Sequence, residues 1–238
     1  MATATPANET SDGPIHAGVP YFDWMRSQNR SPAGVDGTSV HYDMMKPKWD
    51  RIQSVLDGTD AMRAAGILYL PQHEYESDHA YSERLSVTVL DNWTERTLET
   101  LVGKAFRVPP KFNALPTSIE PLIKDIDGAG ATAVDVLEKW FREAVAKQEA
   151  WLMVDYTRGL PRADGKRRTL ADDQADGLRP VWKVVCPDDV LFAIGSAKAG
   201  KFQWTQVRIR ENTMEEDGLF GEALVERIRV LRPGSWEL

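Results

Sequence analysis

The spacing of apolar residues changes once along this chain, near Gln148, and that change constrains the fold more than any other feature. Before Gln148, apolar residues recur three and four positions apart, which is the period of one face of a helix. After it, short continuous apolar runs are bounded by proline, glycine and charged residues, as in strands. The order of the two patterns predicts an α+β fold, with N-terminal helices followed by a mostly antiparallel sheet.

Glycines and apolar stripes set the boundaries of the first predicted helices. A helix that starts at Lys48 is ended by Gly58, and a short helix follows over residues 59–65. Residues 78–103 are predicted to form one long helix or two, with Gly103 ending the region.

The clearest helix covers residues 132–147. Thr132 and Asp135 resemble a capping box, in which each residue hydrogen-bonds the backbone of the other. The apolar face of this helix, centred on Phe141, is predicted to lie under a sheet that starts at Trp151.

Strands and core residues follow from apolar runs and large side chains. The predicted strands are 151–156, 181–186, 190–194, 202–209 and 224–231, the last two joined through residues 217–221. The aromatic residues predicted to be core are Trp49, Tyr69, Trp93, Phe106, Trp140, Phe141 and Trp151.

Composition divides the chain into three parts. Residues 1–40, rich in glycine, proline, serine and threonine, form a predicted extended arm. Residues 41–147 form a helical part and residues 148–238 a β-rich part. Within the arm stands one aromatic cluster, which either packs on the chain's own body or docks on a neighbouring subunit. Its candidate contact residues are Tyr21, Phe22 and Trp24.

The charge balance argues against a dedicated DNA-binding module. The chain has 36 acidic and 29 basic residues, which gives a formal net charge of −7. Tight binding to nucleic acid relies on lysine and arginine contacts to phosphates. The balance therefore fits a surface that DNA passes without being held.

Two further features concern membrane association and disulfide bonding. The longest apolar stretch, Ala64–Leu70, is far shorter than the ~20 residues of a membrane span, so no membrane partner is expected. Cys186 is the single cysteine, which excludes an internal disulfide and predicts a buried, unreactive thiol.

A charged excursion separates the first two predicted strands. One limb is basic and the returning limb is acidic, so the excursion either pairs with itself or reaches a partner surface. Its candidate contact residues are Arg158, Arg162, Lys166, Arg167, Arg168, Asp172 and Asp173.

Motifs for catalysis are sparse. The segment from His73 to His79 combines two histidines with carboxylates, but it lacks the spacing of a zinc-binding helix. The glycine loop at residues 127–132 lacks the lysine of a phosphate-binding loop. We therefore expect no catalytic residue, no cofactor and no metal ligand, and a chain that is not an enzyme.

Taken in order, several short strings of this chain resemble the portal (head-tail connector) proteins of tailed bacteriophages. The strings are Tyr42-x6-Trp49-x2-Ile52-x5-Gly58, Met62-Arg63-x2-Gly66, Tyr69-Leu70-Pro71, Tyr81-x2-Arg84-Leu85, Asn92, Arg96-Thr97-Leu98, Leu101-Val102-Gly103-x2-Phe106-Arg107-x-Pro109-Pro110, Leu152-Met153-Val154-Asp155, Arg179-Pro180, Pro187-Asp188-Asp189-Val190-Leu191 and 228–237. Together they span about residues 42–237.

The resemblance implies a structural subunit of a homo-oligomeric ring, a dodecamer in the virion, at the portal vertex of the phage head. Such rings assemble in the host cytoplasm and let double-stranded DNA through during packaging and ejection. Their partners are the major capsid protein, the packaging motor and the head-completion adaptor. This chain resembles their N-terminal, wing-like part, and the helical stem and the clip are expected to lie outside these residues.

Two alternatives remain at this point. The chain is a capsid accessory or adaptor protein, or it is a metal-dependent enzyme that uses the His73–His79 cluster.

Overall fold

The computed structural model describes residues 34–117, 119–156, 159, 167–198, 200–218 and 220–238. Its α-helices are α1 (Val40–Leu56), α2 (Thr59–Ala65), α3 (Asp78–Val87), α4 (Trp93–Ala105), α5 (Ala133–Lys147) and α6 (Leu170–Ala175). Its strands are β1 (Trp151–Tyr156), β2 (Pro180–Val185), β3 (Val190–Lys198), β4 (Lys201–Asp217), β5 (Gly221–Arg232) and β6 (Ser235–Glu237). Helices precede antiparallel strands, so the predicted α+β class is confirmed.

The strands form two sheets. In the two-stranded sheet, β1 runs antiparallel to β2, with Trp151 opposite Val185 and Tyr156 opposite Pro180. In the four-stranded sheet, β3, β4, β5 and β6 are neighbours in chain order. Short connections between consecutive strands account for this order, because they favour pairing with the nearest strand.

The chain divides into two compact units. The helical unit lies within residues 48–190, and the sheet unit is formed by residues 34–47 together with residues 191–238. The chain passes from the sheet unit to the helical unit inside α1, at Pro47, and returns at the start of β3. Proline removes one backbone hydrogen bond from a helix interior, so α1 is locally weakened at this passage.

In the helical unit, one part of the core forms around α1 and α4. Trp49 of α1 is 2% exposed, and Leu98 and Val102 of α4 are buried. The Asn92 side chain caps α4 by accepting from the Glu95 amide at 2.9 Å, and its amide nitrogen donates to the Val55 carbonyl at 2.7 Å. The same residue therefore begins α4 and ties it to the end of α1.

The first turns of α5 pack against the two-stranded sheet. Ile126, Ala133 and Val136 are buried together with Leu152 and Trp182. Ahead of them, the predicted capping box is confirmed, because Thr132 and Asp135 each accept from the other's backbone amide. The helix ends at Gln148, whose φ of 63° is left-handed, at the point where the apolar period changes.

Phe141, the predicted centre of the α5 face, is only half-buried. Its ring packs against Phe106, with centroids 5.7 Å apart. The helix does pack against the two-stranded sheet, but through Ala133 and Val136, which lie on a different face from Phe141. The prediction that Phe141 is the centre of the buried face is therefore wrong.

Several predicted boundaries also shift. Residues 78–103 divide into α3 and α4, and Gly103 lies inside α4 instead of ending it. Gly58, in contrast, has a φ of 84° between two helices, as expected of a helix-ending glycine. Between α4 and α5 the structure has a 3₁₀ turn at Glu120–Lys124.

In the sheet unit, the segment before α1 is bound to the strands. The Ser39 amide donates to the Leu191 carbonyl at 2.8 Å, and the Arg208 guanidinium donates to the Gly34 carbonyl at 2.8 Å. The Arg210 guanidinium donates to the hydroxyl of Tyr42, which is buried. These contacts fix the start of α1 on the four-stranded sheet.

Strands β4 and β5 form a long antiparallel pair. Pairing is continuous from Val207 opposite Leu231 to Asp217 opposite Gly221, well past the predicted ends of these strands. Met214 and Leu224 face each other as an exposed apolar pair, and Phe220 at the turn is fully exposed.

Candidate functional site

An open apolar groove of about 400 Å³ lies in the helical unit, between the second half of α1, α4 and the end of α5. Leu98, 4% exposed, forms its floor. Trp93 is 67% exposed, and Leu101 and Val145 beside it are also exposed. Ile52 and Leu56 of α1 complete the apolar lining.

Two polar side chains at the groove, Thr97 and Arg96, make contacts within the protein. The Thr97 hydroxyl donates to the Trp93 carbonyl at 2.7 Å, within α4. The Arg96 guanidinium lies 5.3 Å from the centre of the Trp93 ring and 3.7 Å from Asp91. The groove therefore suits apolar or aromatic side chains better than a charged small molecule.

The exposure of Trp93 corrects the prediction that it is core. Trp93 is the first residue of α4, and the face it shares with Leu101 is left open by the described residues. Within α4, the buried residues are Leu98 and Val102. Among the other aromatic residues predicted to be core, Trp49 is buried, and Tyr69, Phe106, Trp140 and Trp151 are half-buried.

A buried lysine forms the second notable site. The Lys147 side chain is 3% exposed, and its Nζ lies 2.6 Å from Asp188 Oδ2 and 3.7 Å from Glu143 Oε2. Cys186 Sγ is 2.8 Å from the same Nζ. No sequence pattern predicts this cluster, because Lys147 lies about 40 residues before Cys186 and Asp188 and no motif connects them.

The pKa shifts of this cluster argue against an activated nucleophile. Burial by itself would lower the pKa of Lys147, but its hydrogen bonds to Asp188 and Cys186 raise that pKa above the ordinary value. Burial raises the pKa of the Cys186 thiol, with the neighbouring ammonium acting against it. At neutral pH the lysine is charged and the thiol is protonated, so neither group is an activated nucleophile.

In the described part of the charged excursion, Arg168 pairs within the excursion, whereas Arg179 pairs with Asp125 outside it. Arg168 Nε lies 2.8 Å from Asp173 Oδ1, and its Nη2 lies 2.5 Å from Asp176 Oδ2. Asp172 and Thr169 form a capping box at the start of α6. Arg168, Asp172 and Asp173 are thus engaged within the excursion, and Arg167 is exposed.

Other predicted contact residues fall outside the described residues. They are Tyr21, Phe22 and Trp24 of the arm, and Arg158, Arg162 and Lys166 of the excursion.

The His73–His79 segment holds an ion pair at its centre. Both oxygens of Glu76 accept from Arg84, each at 2.7 Å, and the same guanidinium donates to the Pro71 carbonyl at 2.9 Å. His79 is exposed, 3.7 Å from Glu83. Across the residues that the structure describes, no group of three or more His, Cys, Asp or Glu side chains is placed to hold a metal ion. The Glu76–Arg84 pair acts as a clamp that holds residues 71–76 against α3.

Acid should weaken this clamp. The hydrogen bond from Arg84 lowers the pKa of Glu76 to about 2, against the opposing effect of burial. Because the folded pKa is lowered, the stabilisation is present above the unfolded pKa near 4.5 and is lost as pH falls toward 2. Between those pH values, urea unfolding should show a weaker pH dependence for Glu76→Gln than for the wild type. Exposed Glu74→Gln is the control, and an unchanged acid dependence in Glu76→Gln would contradict the assignment.

The glycine loop before α5 is occupied by carboxylates. Asp127 Oδ1 accepts from the amides of Ala129 and Ala131 at 2.9 and 3.0 Å, and Asp125 Oδ1 accepts from the Gly130 amide at 2.8 Å. A phosphate group would have to displace these carboxylates to reach the amides. The loop is therefore a turn that leads into the α5 cap.

No family model matches this chain, and no curated protein matches it. Among the helices of the described residues, none combines the length and apolar character needed to cross a membrane.

Proposed function

We propose that this chain is a subunit of a tailed-phage portal, a ring at one vertex of the capsid through which double-stranded DNA passes. In this proposal the chain is structural and not catalytic. Its partners are copies of itself, the major capsid protein, the packaging motor and the head-completion adaptor.

The observation that carries the proposal is the position of the residues that resemble portal proteins. Among the residues that the structure describes, seven of the thirteen buried apolar ones belong to those strings, namely Tyr42, Trp49, Leu98, Val102, Val190, Leu191 and Val230. The strings also supply the Asn92 cap and the Arg84 clamp. The residues that carry the resemblance therefore belong to the cores and caps of both units. A resemblance in core residues supports a shared fold better than a resemblance in surface residues does.

The exposed apolar surface favours self-association. The helical unit exposes Ile67, Leu68 and Trp93, and the sheet unit exposes Phe202 and Phe220. Exposed apolar patches on a protein surface often mark interaction sites. Contacts between unlike surfaces of neighbouring copies are head-to-tail, and such contacts close into a ring when the rotation allows it.

Electron microscopy of the purified full-length protein tests this proposal directly, whereas residues 1–238 alone, without a stem, should be mostly monomeric or a weak, salt-sensitive assembly. We expect class averages with cyclic symmetry, and light scattering that gives the same number of subunits at several protein concentrations. A stable two-fold dimer would contradict the portal assignment and favour a capsid accessory or adaptor protein.

The ring should bind duplex DNA weakly. A portal must let DNA slide, and every phosphate contact adds affinity that opposes sliding. At a formal net charge of −7 per chain, a twelve-membered ring would carry −84. In a filter-binding assay across a salt series, we expect no saturation at nanomolar protein at physiological salt. Nanomolar affinity under those conditions would instead point to a DNA-binding accessory protein.

A further inference from the structure

We propose that the apolar groove of one copy binds the aromatic cluster of the N-terminal arm, Tyr21–Met25, of a neighbouring copy. This inference rests on the proposed ring function and names one contact that would connect adjacent subunits.

The groove provides a receiving surface of the right chemistry. Its floor is Leu98 and its rim is formed by Trp93, Leu101 and Val145, so it presents aliphatic and aromatic carbon to the outside. At about 400 Å³, it lies in the range of pockets that bind ligands in proteins, about 300–1,000 Å³. Such a groove accepts a few apolar side chains and leaves the adjoining backbone of the guest in solvent.

The arm provides a matching guest. Four of the five residues from Tyr21 to Met25 are aromatic or methionine, in a segment otherwise dominated by small and polar residues. Aromatic side chains and methionine are enriched where protein interfaces bury their centres. The polar residues on either side are suited to link this single apolar cluster to the rest of the chain.

The length of chain between the aromatic cluster and Gly34 sets how far the cluster can lie from its own sheet unit. The first described residue, Gly34, is held on the sheet unit by Arg208. Eight residues lie between Met25 and Gly34, and when extended they span up to roughly 29 Å. This reach is close to the diameter of a small domain, about 30 Å.

The direction of the contact suits a ring. Each copy inserts its arm into the groove of one neighbour and binds the arm of the other neighbour in its own groove. The two contacting surfaces are therefore different. Such heterologous contacts run head-to-tail around a ring, whereas a two-fold contact would use the same surface twice.

The experiment uses two variants of the whole protein and a labelled peptide of residues 15–30. The arm variant carries Phe22→Ala and Trp24→Ala, which leaves its groove free. The groove variant carries Leu101→Glu, which places a charge on the exposed rim. Tyr75→Ala, at an exposed tyrosine away from the groove, is the control. Circular dichroism and thermal unfolding establish that each variant is folded.

Fluorescence anisotropy measures binding of the peptide to the arm variant. We expect saturable binding that weakens at least about tenfold when Leu101→Glu is added and stays unchanged when Tyr75→Ala is added. Equal peptide affinity with and without Leu101→Glu would overturn the inference.

Light scattering of the variants then shows whether the contact joins two copies. Each variant alone should lose the ring, and a mixture of the two should give heterodimers, because one intact arm meets one intact groove. Rings that persist in both variants would overturn the inference while the proposed function stands. A full-length wild-type protein that is monomeric would overturn the proposed function itself, and with it the placement of the arm on a neighbouring copy, even if the peptide binds.

Discussion

Replacing Trp49 with alanine should lower the free energy of unfolding by about 3–5 kcal/mol, as expected for truncating a large buried aromatic side chain. Trp49 is 2% exposed, and its indole nitrogen donates to the Lys147 carbonyl at 3.1 Å. The substitution therefore opens a cavity and also removes the hydrogen bond that ties α1 to the end of α5. Chemical unfolding in urea, with the slope monitored, measures the effect.

Two controls separate packing from hydrogen bonding at this position. Trp49→Phe keeps an aromatic ring but cannot donate, so it should cost about 1–3 kcal/mol. Tyr75→Ala, at an exposed position, should change the free energy of unfolding by less than about 0.5 kcal/mol. A loss for Trp49→Ala no larger than that of Tyr75→Ala would show that Trp49 does not anchor this core.

Replacing Lys147 with methionine should cost about 3–5 kcal/mol, although methionine has a similar length. The reason is that Lys147 neutralises Asp188 and Glu143, and removing it leaves these partly buried carboxylates without their cation. Chemical unfolding again provides the measurement. Exposed Lys139→Ala, on the same helix, is the matched control and should stay within about 0.5 kcal/mol.

A double-mutant cycle identifies the partner. Adding Asp188→Asn to Lys147→Met removes one of the stranded charges, so the double variant should recover at least about 1 kcal/mol relative to additivity. Strict additivity of the two substitutions would mean that the 2.6 Å contact between Lys147 and Asp188 contributes no coupling.

Elements with local signals were predictable from the sequence. The start of α5 depends on two residues three positions apart, and Thr132 and Asp135 form the expected capping box. Gly58 ends its helix for an equally local reason, since its φ of 84° is unfavourable for other residues. Local hydrogen bonding and backbone sterics decide such positions, and both can be read from neighbouring residues.

Features that depend on distant residues were not predictable in the same way. An apolar stripe predicted burial for Trp93, but burial requires a second element to cover the stripe, and none of the described residues does so. The groove needs three helices to come together, and the Lys147 cluster joins residues from α5 and from the turn after β2. The length of β4 and β5 was missed because the acidic residues Glu215 and Glu216 interrupt the apolar alternation.

The division of the chain into units has a consequence for how the protein folds. The helical unit is one continuous stretch of chain, whereas the sheet unit is assembled from two stretches that the helical unit separates. Its defining contacts are therefore very non-local, such as the one between Arg208 and Gly34, 174 positions apart. Non-local contacts form slowly because loop closure must precede them. During synthesis, the segment that begins α1 must wait for β3 and β4 to be made, while the helical unit can already complete its own core.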